Sequence, residues 1–290
     1  MNRVRTILRV QEVIDRGFTG KGIRVAVLDT GIASHPDYAD RVVCFRDFIN
    51  SGRFQYDDYG HGTHVTGILA GNGQMSGQYR GIAPQAEIIH LKVLDKNGNG
   101  SRRDVLKGLS WIIQNYAKYE IRILNISVGT VKEGDIRDEV LVEAVEEAWD
   151  AGIVVVVAAG NMGPAPQSIT APGNSRKVIT VGSSDDFGTF SPGRGPTKNC
   201  VCKPDIVAPG AGIVSCSNIL VNGKWGYCRK SGTSMATPMV SGAAALLLSK
   251  EPWLTNVEVK MRLRETAVDL GLEHSRQGWG LLDICRFCGI

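Results

Sequence analysis

The chain has 290 residues, of which 43% are apolar and 21% are charged, a composition that indicates a globular protein and excludes a disordered or fibrous one. The net charge is +4 at pH 7, but the basic residues are scattered and do not form the basic stripe of a nucleic-acid-binding protein. The longest apolar runs, 153–159 and 243–248, are too short to span a bilayer. We therefore expect neither nucleic acid nor membrane as a partner.

Apolar runs and helical patterns alternate through the first two thirds of the chain. Five short runs are almost continuously apolar, as in strands that are buried on both faces of a parallel sheet. They are residues 23–28, 88–94, 121–126, 153–158 and 178–181. Apolar residues recur at a helical period in 104–119 and 138–151, and Gly152 ends the second of these predicted helices.

The last third of the chain departs from this alternation. Residues 205–227 are predicted to form short strands and a hairpin, followed by a long helix of small residues at 235–250 and another helix at 257–268. Alternating strands and helices predict an α/β sandwich built on a parallel sheet. No linker, repeat or low-complexity tract divides the chain, so residues 1–290 are predicted to form one domain. Ligands of such folds bind where strands end and helices begin.

Asp29 is the first candidate catalytic residue. It follows the predicted strand at 23–28 and begins the sequence DTG. A carboxylate at the end of a buried strand is costly to desolvate unless a partner offsets its charge. Taken alone, such a residue is also typical of a helix cap or a turn, so its assignment depends on the motifs that follow.

His61 is the second candidate, in the sequence DDYGHGTHVTG at 57–67. The glycines on either side of it allow other backbone segments to approach closely. His64 follows three residues later without the glutamate of an HExxH motif, so the pattern does not indicate a zinc metalloprotease helix. We interpret His64 as a structural neighbour.

Ser234 and Asn161 complete the set of candidates. Ser234 lies in SGTSMATPMV at 231–240, at the start of a helix, where free N–H groups favour developing negative charge. Asn161 ends the run VVVVAAGN at 154–161, so its side-chain amide is a candidate oxyanion donor. The structural alternatives are a serine that caps a helix and an asparagine in a turn.

The segments VAVLDTGI, GHGTHVTG, VAAGN and SGTSMATPMV resemble the four signature blocks of the subtilisin family, in the family's order. The likeness extends from Gly20 to Leu282, and four blocks in order are much more specific than any one of them. It implies a serine endopeptidase with a subtilisin-like fold, a three-layer α/β sandwich whose mostly parallel central sheet is flanked by helices. It also implies that the chemistry requires no cofactor.

The resemblance implies a role for each candidate. Ser234 would be the nucleophile, His61 the general base and then acid, and Asp29 the residue that orients the imidazole and stabilises its charge. The Asn161 amide and the Ser234 backbone N–H would hold the oxyanion. Peptide bonds would then be hydrolysed through an acyl-enzyme intermediate.

The resemblance also implies where a protein or peptide substrate binds in extended form. Two segments match the family's strands that pair with a peptide by β-strand addition, and a third completes an apolar S1 cleft. These candidate substrate-binding residues are Gly98, Asn99, Gly100, Ser127, Val128, Gly129, Ala158, Ala159 and Gly160. We expect a preference for apolar or aromatic residues at the substrate position P1.

Cysteine pairs raise two structural questions. Cys200 with Cys202 and Cys285 with Cys288 are spaced closely enough for a zinc site, but no matching His/Cys pattern lies near them. The sequence therefore identifies no metal ligand.

A possible disulfide is the second question, because Cys216 and Cys228 flank the hairpin signal Asn222-Gly223. A three-residue loop would place the two cysteines opposite each other, whereas a two-residue turn would offset them by one position. The sequence leaves both alternatives open.

Several features depart from secreted members of the family. We expect residues 1–20 to be a short N-terminal segment and neither a signal-peptide core nor a full prodomain, so that the chain either folds unaided or lacks an upstream segment. Residues 72–80 contain no Asp or Glu, which calcium sites usually need, so structural calcium stays open. The seven cysteines, an odd number, fit a reducing compartment. These features resemble the bacterial intracellular branch of the family, and we expect a cytoplasmic protein.

Other hypotheses compete with an active endopeptidase. A pseudoprotease would bind extended peptides without cutting them, although inactive relatives usually lose a triad residue and none is lost here. Redox gating through Cys228, which lies six residues before Ser234, competes with a role as a small buried apolar residue. If the enzyme is active, general protein turnover and selective processing of one precursor both fit the sequence.

Overall fold

A sheet of seven parallel strands lies at the centre of the computed structural model, which describes residues 1–129, 137–185 and 191–290. In chain order the strands are β1 (Arg24–Asp29), β2 (Val42–Asp47), β3 (Glu87–Lys92), β4 (Ile121–Ile126), β5 (Val154–Ala158), β6 (Ile179–Ser183) and β7 (Ile206–Ala208). Their order across the sheet is β2-β3-β1-β4-β5-β6-β7, with every neighbouring pair parallel. All except β2 are buried along nearly their whole length, which explains their continuous apolar sequences.

Helices cover this sheet. The longer ones are α3 (His61–Ala70), α4 (Arg102–Asn115), α5 (Arg137–Asp150), α6 (Thr233–Lys250) and α7 (Asn256–Thr266). The short ones are α1 (Asn2–Ile7), α2 (Val10–Ile14), α8 (His274–Gln277), α9 (Ile284–Phe287) and a 3-10 helix (Ala39–Arg41). Helices α3 and α6 contact each other, α4 contacts α5, and α6 lies against β4, β5 and β6. The predicted α/β sandwich is confirmed.

In the described ranges, no helix combines the length and apolar character needed to cross a membrane.

Helix α6 is buried along most of its length because its residues are small or apolar. Between 233 and 248, Ser234 is the residue that keeps some exposure. Close packing requires Gly242, where an added Cβ would lie 2.6 Å from Cβ of Ile82. The helix therefore enters the core while its first turn presents Ser234 at the edge.

The predicted elements match the observed ones within a few residues, and capping explains some of the differences. Helix α4 begins before the predicted start because the Ser101 side chain accepts a hydrogen bond from the backbone N–H of Asp104. Helix α7 begins after Thr255, which forms a capping box with Glu258. Strand β2 and helices α1 and α2 were not predicted. Strand β2 lies at the edge of the sheet and is only partly buried, so it lacks a continuous apolar run.

The predicted hairpin consists of β8 (Ile213–Val221) and β9 (Lys224–Lys230), which pair antiparallel. Its turn has two residues, Asn222 and Gly223, with φ of 51° and 72°, as a type I′ turn requires. The turn alone would pair Cys216 with Arg229, but the register shifts between Cys216 and Leu220, and Cys216 lies opposite Tyr227, one position away from Cys228. The two-residue alternative is correct, and both cysteines are free thiols.

Candidate active site

Asp29 and His61 form a hydrogen-bonded pair at the end of the central strand β1. Asp29 is fully buried, and its Oδ1 lies 2.7 Å from Nδ1 of His61, the first residue of α3. The backbone N–H of Thr30 donates to the same oxygen at 2.8 Å. Burial lowers the pKa of His61, but the Asp29 carboxylate outweighs burial and raises it. With Nδ1–H donating to the carboxylate, Nε2 is the nitrogen that can act as a base.

Asp57 joins the loop after β1 to the start of α3. Its Oδ1 accepts hydrogen bonds from Oγ1 of Thr30 at 2.9 Å and from the backbone N–H of Gly60 at 2.8 Å. Its Oδ2 accepts from the backbone N–H and the hydroxyl of Thr63 at 2.9 and 2.6 Å. The position of His61 therefore depends on Asp57. Asp57 was not among the predicted site residues, although it belongs to the same motif as His61.

Lys92 supports the backbone on the other side of Asp29. It lies opposite Asp29 in the register of β3 with β1 and is fully buried. Its Nζ donates to the carbonyl oxygens of Thr30 and Leu94 at 2.5 and 2.9 Å and lies 2.6 Å from Oδ1 of Asp58. Lys92 was not among the predicted site residues, and the signal that could have identified it is a lysine inside an apolar run.

Close backbone approach explains the glycine after His61. A Cβ added at Gly62 would lie 2.2 Å from the carbonyl oxygen of Gly31, 3.0 Å from Cβ of Asp29 and 3.0 Å from Cε1 of His90. His90 is fully buried on β3, and burial lowers its pKa to about 4. Only glycine at position 62 allows the start of α3 to lie against the end of β1.

His64 lies outside the Asp29–His61 pair, as the sequence analysis proposed. Its Nε2 lies 3.1 Å from the carbonyl oxygens of both Ile213 and Cys228 on the β8–β9 hairpin. Burial lowers its pKa to about 3. His64 therefore stays neutral and connects helix α3 to the hairpin.

Ser234 and Asn161 meet at the N-terminus of α6. Ser234 is the second residue of the helix, where backbone N–H groups have no partner within the helix. Oδ1 of Asn161 accepts hydrogen bonds from the backbone N–H and the hydroxyl of Thr233 at 3.0 and 3.1 Å. Among the residues that the structure describes, its NH₂ group has no hydrogen-bond partner and can serve as a donor beside Ser234. In the described ranges, Ser234 and His61 line one cleft without a hydrogen bond between them. Catalytic hydrogen bonds are often long without substrate and shorten only when substrate binds.

The cleft that contains His61, Asn161 and Ser234 has a volume of about 260 Å³. Six predicted substrate-binding residues line it: Gly98, Ser127, Val128, Gly129, Ala158 and Gly160. Asn99 and Gly100 line a neighbouring cavity of about 450 Å³. Ala159 is fully buried with its backbone bonded inside the protein, so it supports the wall of the cleft from behind.

Thr170 also lines the cleft, although the sequence analysis did not identify it. Cβ atoms added at Gly129 and Gly160 would lie 2.5 and 2.4 Å from its Oγ1. This buried hydroxyl has no hydrogen-bond partner among the residues that the structure describes. The two glycines thus leave space for the Thr170 hydroxyl in the wall of the cleft. Thr170 lies between β5 and β6 in no recognisable motif, so no pattern marks it.

One group of three metal-binding side chains comes together in the described part of the chain, outside the cleft. It consists of His35, Asp37 and Cys216, all buried, with ligand atoms within 4.8 Å of one another. The close cysteine pairs at 200–202 and 285–288 are not part of it. The segment at 72–80 reaches this group through the backbone N–H of Met75, which donates to Oδ1 of Asp37 at 3.0 Å.

Comparison with known proteins identifies the family. The model of the subtilase family of peptidases matches residues 20–280. The chain is 45% identical to the serine protease AprX of Bacillus subtilis, with 88% of this chain aligned to 63% of AprX. It is 34% identical to subtilisin DY of Bacillus licheniformis, with 96% and 95% of the two chains aligned. A cold-adapted subtilisin-like serine proteinase has a similar structure, with a TM-score of 0.75, 31% identity and coverage of 91% and 89%. The chain therefore belongs to the subtilase family of serine proteases.

Proposed function

We propose that the chain is a serine endopeptidase with Asp29, His61 and Ser234 as its catalytic residues. The observation that carries the proposal is the 2.7 Å hydrogen bond between Asp29 and His61 at a cleft that Ser234 also lines. A buried carboxylate that raises the pKa of a neighbouring imidazole makes this imidazole a better base. Family membership adds independent support.

The chemistry follows from the positions of these groups. Ser234 Oγ bonds to the scissile carbonyl carbon while its proton moves to Nε2 of His61, and Asp29 stabilises the imidazolium. The oxyanion accepts hydrogen bonds from the Asn161 NH₂ and the Ser234 backbone N–H. The intermediate collapses when His61 returns the proton to the leaving amine. Water then attacks the acyl-enzyme in the same way and frees Ser234.

An active-site phosphonate tests this assignment by intact mass. We expect one adduct on the wild type and none on the Ser234→Ala variant. Ser231→Ala is the matched control, because Ser231 is an exposed serine of the same turn, and it should keep the adduct. A folded wild type that forms no adduct would favour the pseudoprotease, which binds peptides without cutting them.

We further propose that substrates bind in extended form with an apolar residue at P1. Apolar side chains support this, because Leu94, Val128, Ala158 and Met162 line the cleft. Tetrapeptide p-nitroanilides that differ only at P1 test it. Higher kcat/KM for phenylalanine and leucine than for aspartate and lysine is expected, and equal values would contradict the proposal. A proteome-derived peptide digest would separate broad turnover from selective processing.

We propose that residues 1–290 fold as one domain, because the two ends of the chain meet. The backbone N–H of Ile284 donates to the carbonyl oxygen of Leu8 at 3.1 Å, and Arg9 forms an ion pair with Asp283 at 3.3 Å. Urea unfolding of the Ser234→Ala variant should show one transition by both fluorescence and circular dichroism. Two separate transitions would contradict a single domain.

We also propose a cytoplasmic location, supported by the seven free thiols, four of them buried. Cell fractionation of the native host tests it, and recovery from the culture medium would contradict it. Redox gating through Cys228 requires that a reductant change the activity of freshly purified enzyme. We expect no change, because Cys228 has no cysteine opposite it in the hairpin.

A further inference from the structure

His35, Asp37 and Cys216 meet away from the catalytic cleft. His35 and Asp37 lie in the loop after β1, Cys216 lies on β8, and all three are fully buried. Nδ1 of His35 is 3.9 Å from Oδ1 of Asp37, and Sγ of Cys216 is 3.7 Å from Oδ2 of Asp37. Ligand atoms around a tetrahedral zinc are roughly 3.5 Å apart, given metal–ligand bonds of about 2.0–2.3 Å. A metal ion therefore fits between these atoms after small movements.

The imidazole of His35 is oriented as in metal-binding histidines. Its Nε2 lies 3.2 Å from the carbonyl oxygen of Gly226, and Nδ1 accepts the backbone N–H of Asp37 at 3.2 Å. Nδ1 therefore carries the lone pair, and a metal ion would bind there in place of the Asp37 N–H, while Nε2–H is held by the backbone. Histidine ligands commonly hold their second nitrogen in this way.

Charge balance favours a divalent cation at this position. The buried Asp37 carboxylate accepts hydrogen bonds from the Met75 backbone and, at 2.8 Å, from the Tyr227 hydroxyl. In the described ranges no cationic group donates to its carboxylate oxygens, and the nearby Arg41 guanidinium donates instead to the Asp37 backbone carbonyl oxygen. A bound divalent cation would displace the Cys216 thiol proton to solvent, and one thiolate and one carboxylate would then neutralise its charge.

The donor set selects the metal. Calcium and magnesium prefer oxygen ligands alone, whereas imidazole, thiolate and carboxylate together suit zinc and cobalt. We infer that His35, Asp37 and Cys216 form a zinc site that joins the loop after β1 to the β8–β9 hairpin, with solvent as the fourth ligand. This inference does not depend on the proposed catalytic residues.

Cobalt titration tests the site directly. The protein would carry Ser234→Ala, to prevent autolysis, together with Cys200→Ser and Cys202→Ser, because this exposed pair could bind metal by itself. One equivalent of Co²⁺ should produce a thiolate charge-transfer band in the near ultraviolet and tetrahedral d–d bands in the visible. The bands should be lost when Cys216 is replaced by serine. They should persist in Cys44→Ser, which changes another buried cysteine.

His35→Gln provides a second variant in case the Cys216 variant does not fold. It should bind Co²⁺ at least tenfold more weakly while keeping the circular dichroism spectrum of the parent. Zn²⁺ should also raise the melting temperature of the parent and not that of His35→Gln. The inference is overturned if the folded parent shows no charge-transfer band, if the band survives in Cys216→Ser, or if Ca²⁺ raises the melting temperature and Zn²⁺ does not.

Discussion

Replacing Lys92 by methionine should destabilise the protein by about 3 kcal/mol. The variant keeps the apolar stem but removes the ammonium that binds two buried carbonyl oxygens and Asp58. A buried polar group left without its partner costs about 1–3 kcal/mol, and loss of one member of a buried ion pair costs about 3–5 kcal/mol. Because the Asp58 side chain is 34% exposed, water can solvate its carboxylate, and the lower end of that range applies.

Urea unfolding in the Ser234→Ala background measures this loss. With a slope of about 3 kcal/mol per molar urea, the midpoint of Lys92→Met should fall by about 1 M. Asp58→Asn is the matched control: its amide oxygen can still accept a hydrogen bond from the ammonium, which keeps both carbonyl partners. It should therefore cost less than Lys92→Met, although the buried ammonium loses its counter-charge. If the free energy of unfolding decreases equally in both variants, the hydrogen bonds from the ammonium to the two buried carbonyl oxygens do not contribute to stability, and the prediction is refuted.

Three further predictions concern the site. Asp29→Asn should lower kcat about 10⁴-fold by favouring the wrong tautomer of His61, and a loss below tenfold in a peptide p-nitroanilide assay would contradict this. Because His61 must be neutral and its pKa is raised above 6.5, kcat/KM should decline as the pH falls through a value above 6.5, and a decline only below 6.5 would contradict this. Gly62→Ala should reduce kcat/KM at least about 10²-fold, since its Cβ would lie 2.2 Å from the carbonyl oxygen of Gly31, and wild-type activity would show that the backbone can adjust.

Acid should destabilise the fold through His90. Its pKa is about 4 when folded and 6.5 ordinarily, so between these values the unfolded chain binds a proton that the folded chain does not. The unfolding free energy should therefore decrease as the pH falls from 6.5 to about 4. His90→Leu should reduce this slope in urea titrations across the same window, and an unchanged slope would exclude His90 as a cause.

The central strands could be predicted from sequence because burial on both faces leaves a continuous apolar run. Strands β1, β4 and β5 each carry this signal, and each ends at or just before a candidate residue. Strand β2 could not be predicted, since an edge strand packs on only part of its surface. The order of the strands in the sheet could not be predicted either. Strand β1 pairs with β3 and β4, which are distant from it in the sequence, and no local pattern indicates these partners.

The sequence identified candidate site residues by their motifs. It did not identify residues whose role depends on contacts in the folded protein. Asp29 and His61 stand in glycine-rich sequences, where the backbone itself must be unusual. Asp57, Lys92 and Thr170 hold or line the same site. Asp57 does stand in the His61 motif, but its role, like that of the other two, depends on contacts that the sequence does not show. Such roles follow from the three-dimensional arrangement, which one sequence without its fold does not contain.

The position of Ser234 has a consequence for the order of events during synthesis. Asp29 and His61 lie in the first quarter of the chain, whereas Ser234 arrives on α6, which must insert against α3, β4, β5 and β6. Contacts between residues so distant in sequence form late, because the intervening chain must be ordered first. If Ser234 and His61 act as proposed, a nascent or partly folded chain has no nucleophile beside its base, and we expect cleavage of neighbouring chains to begin only after α6 has inserted.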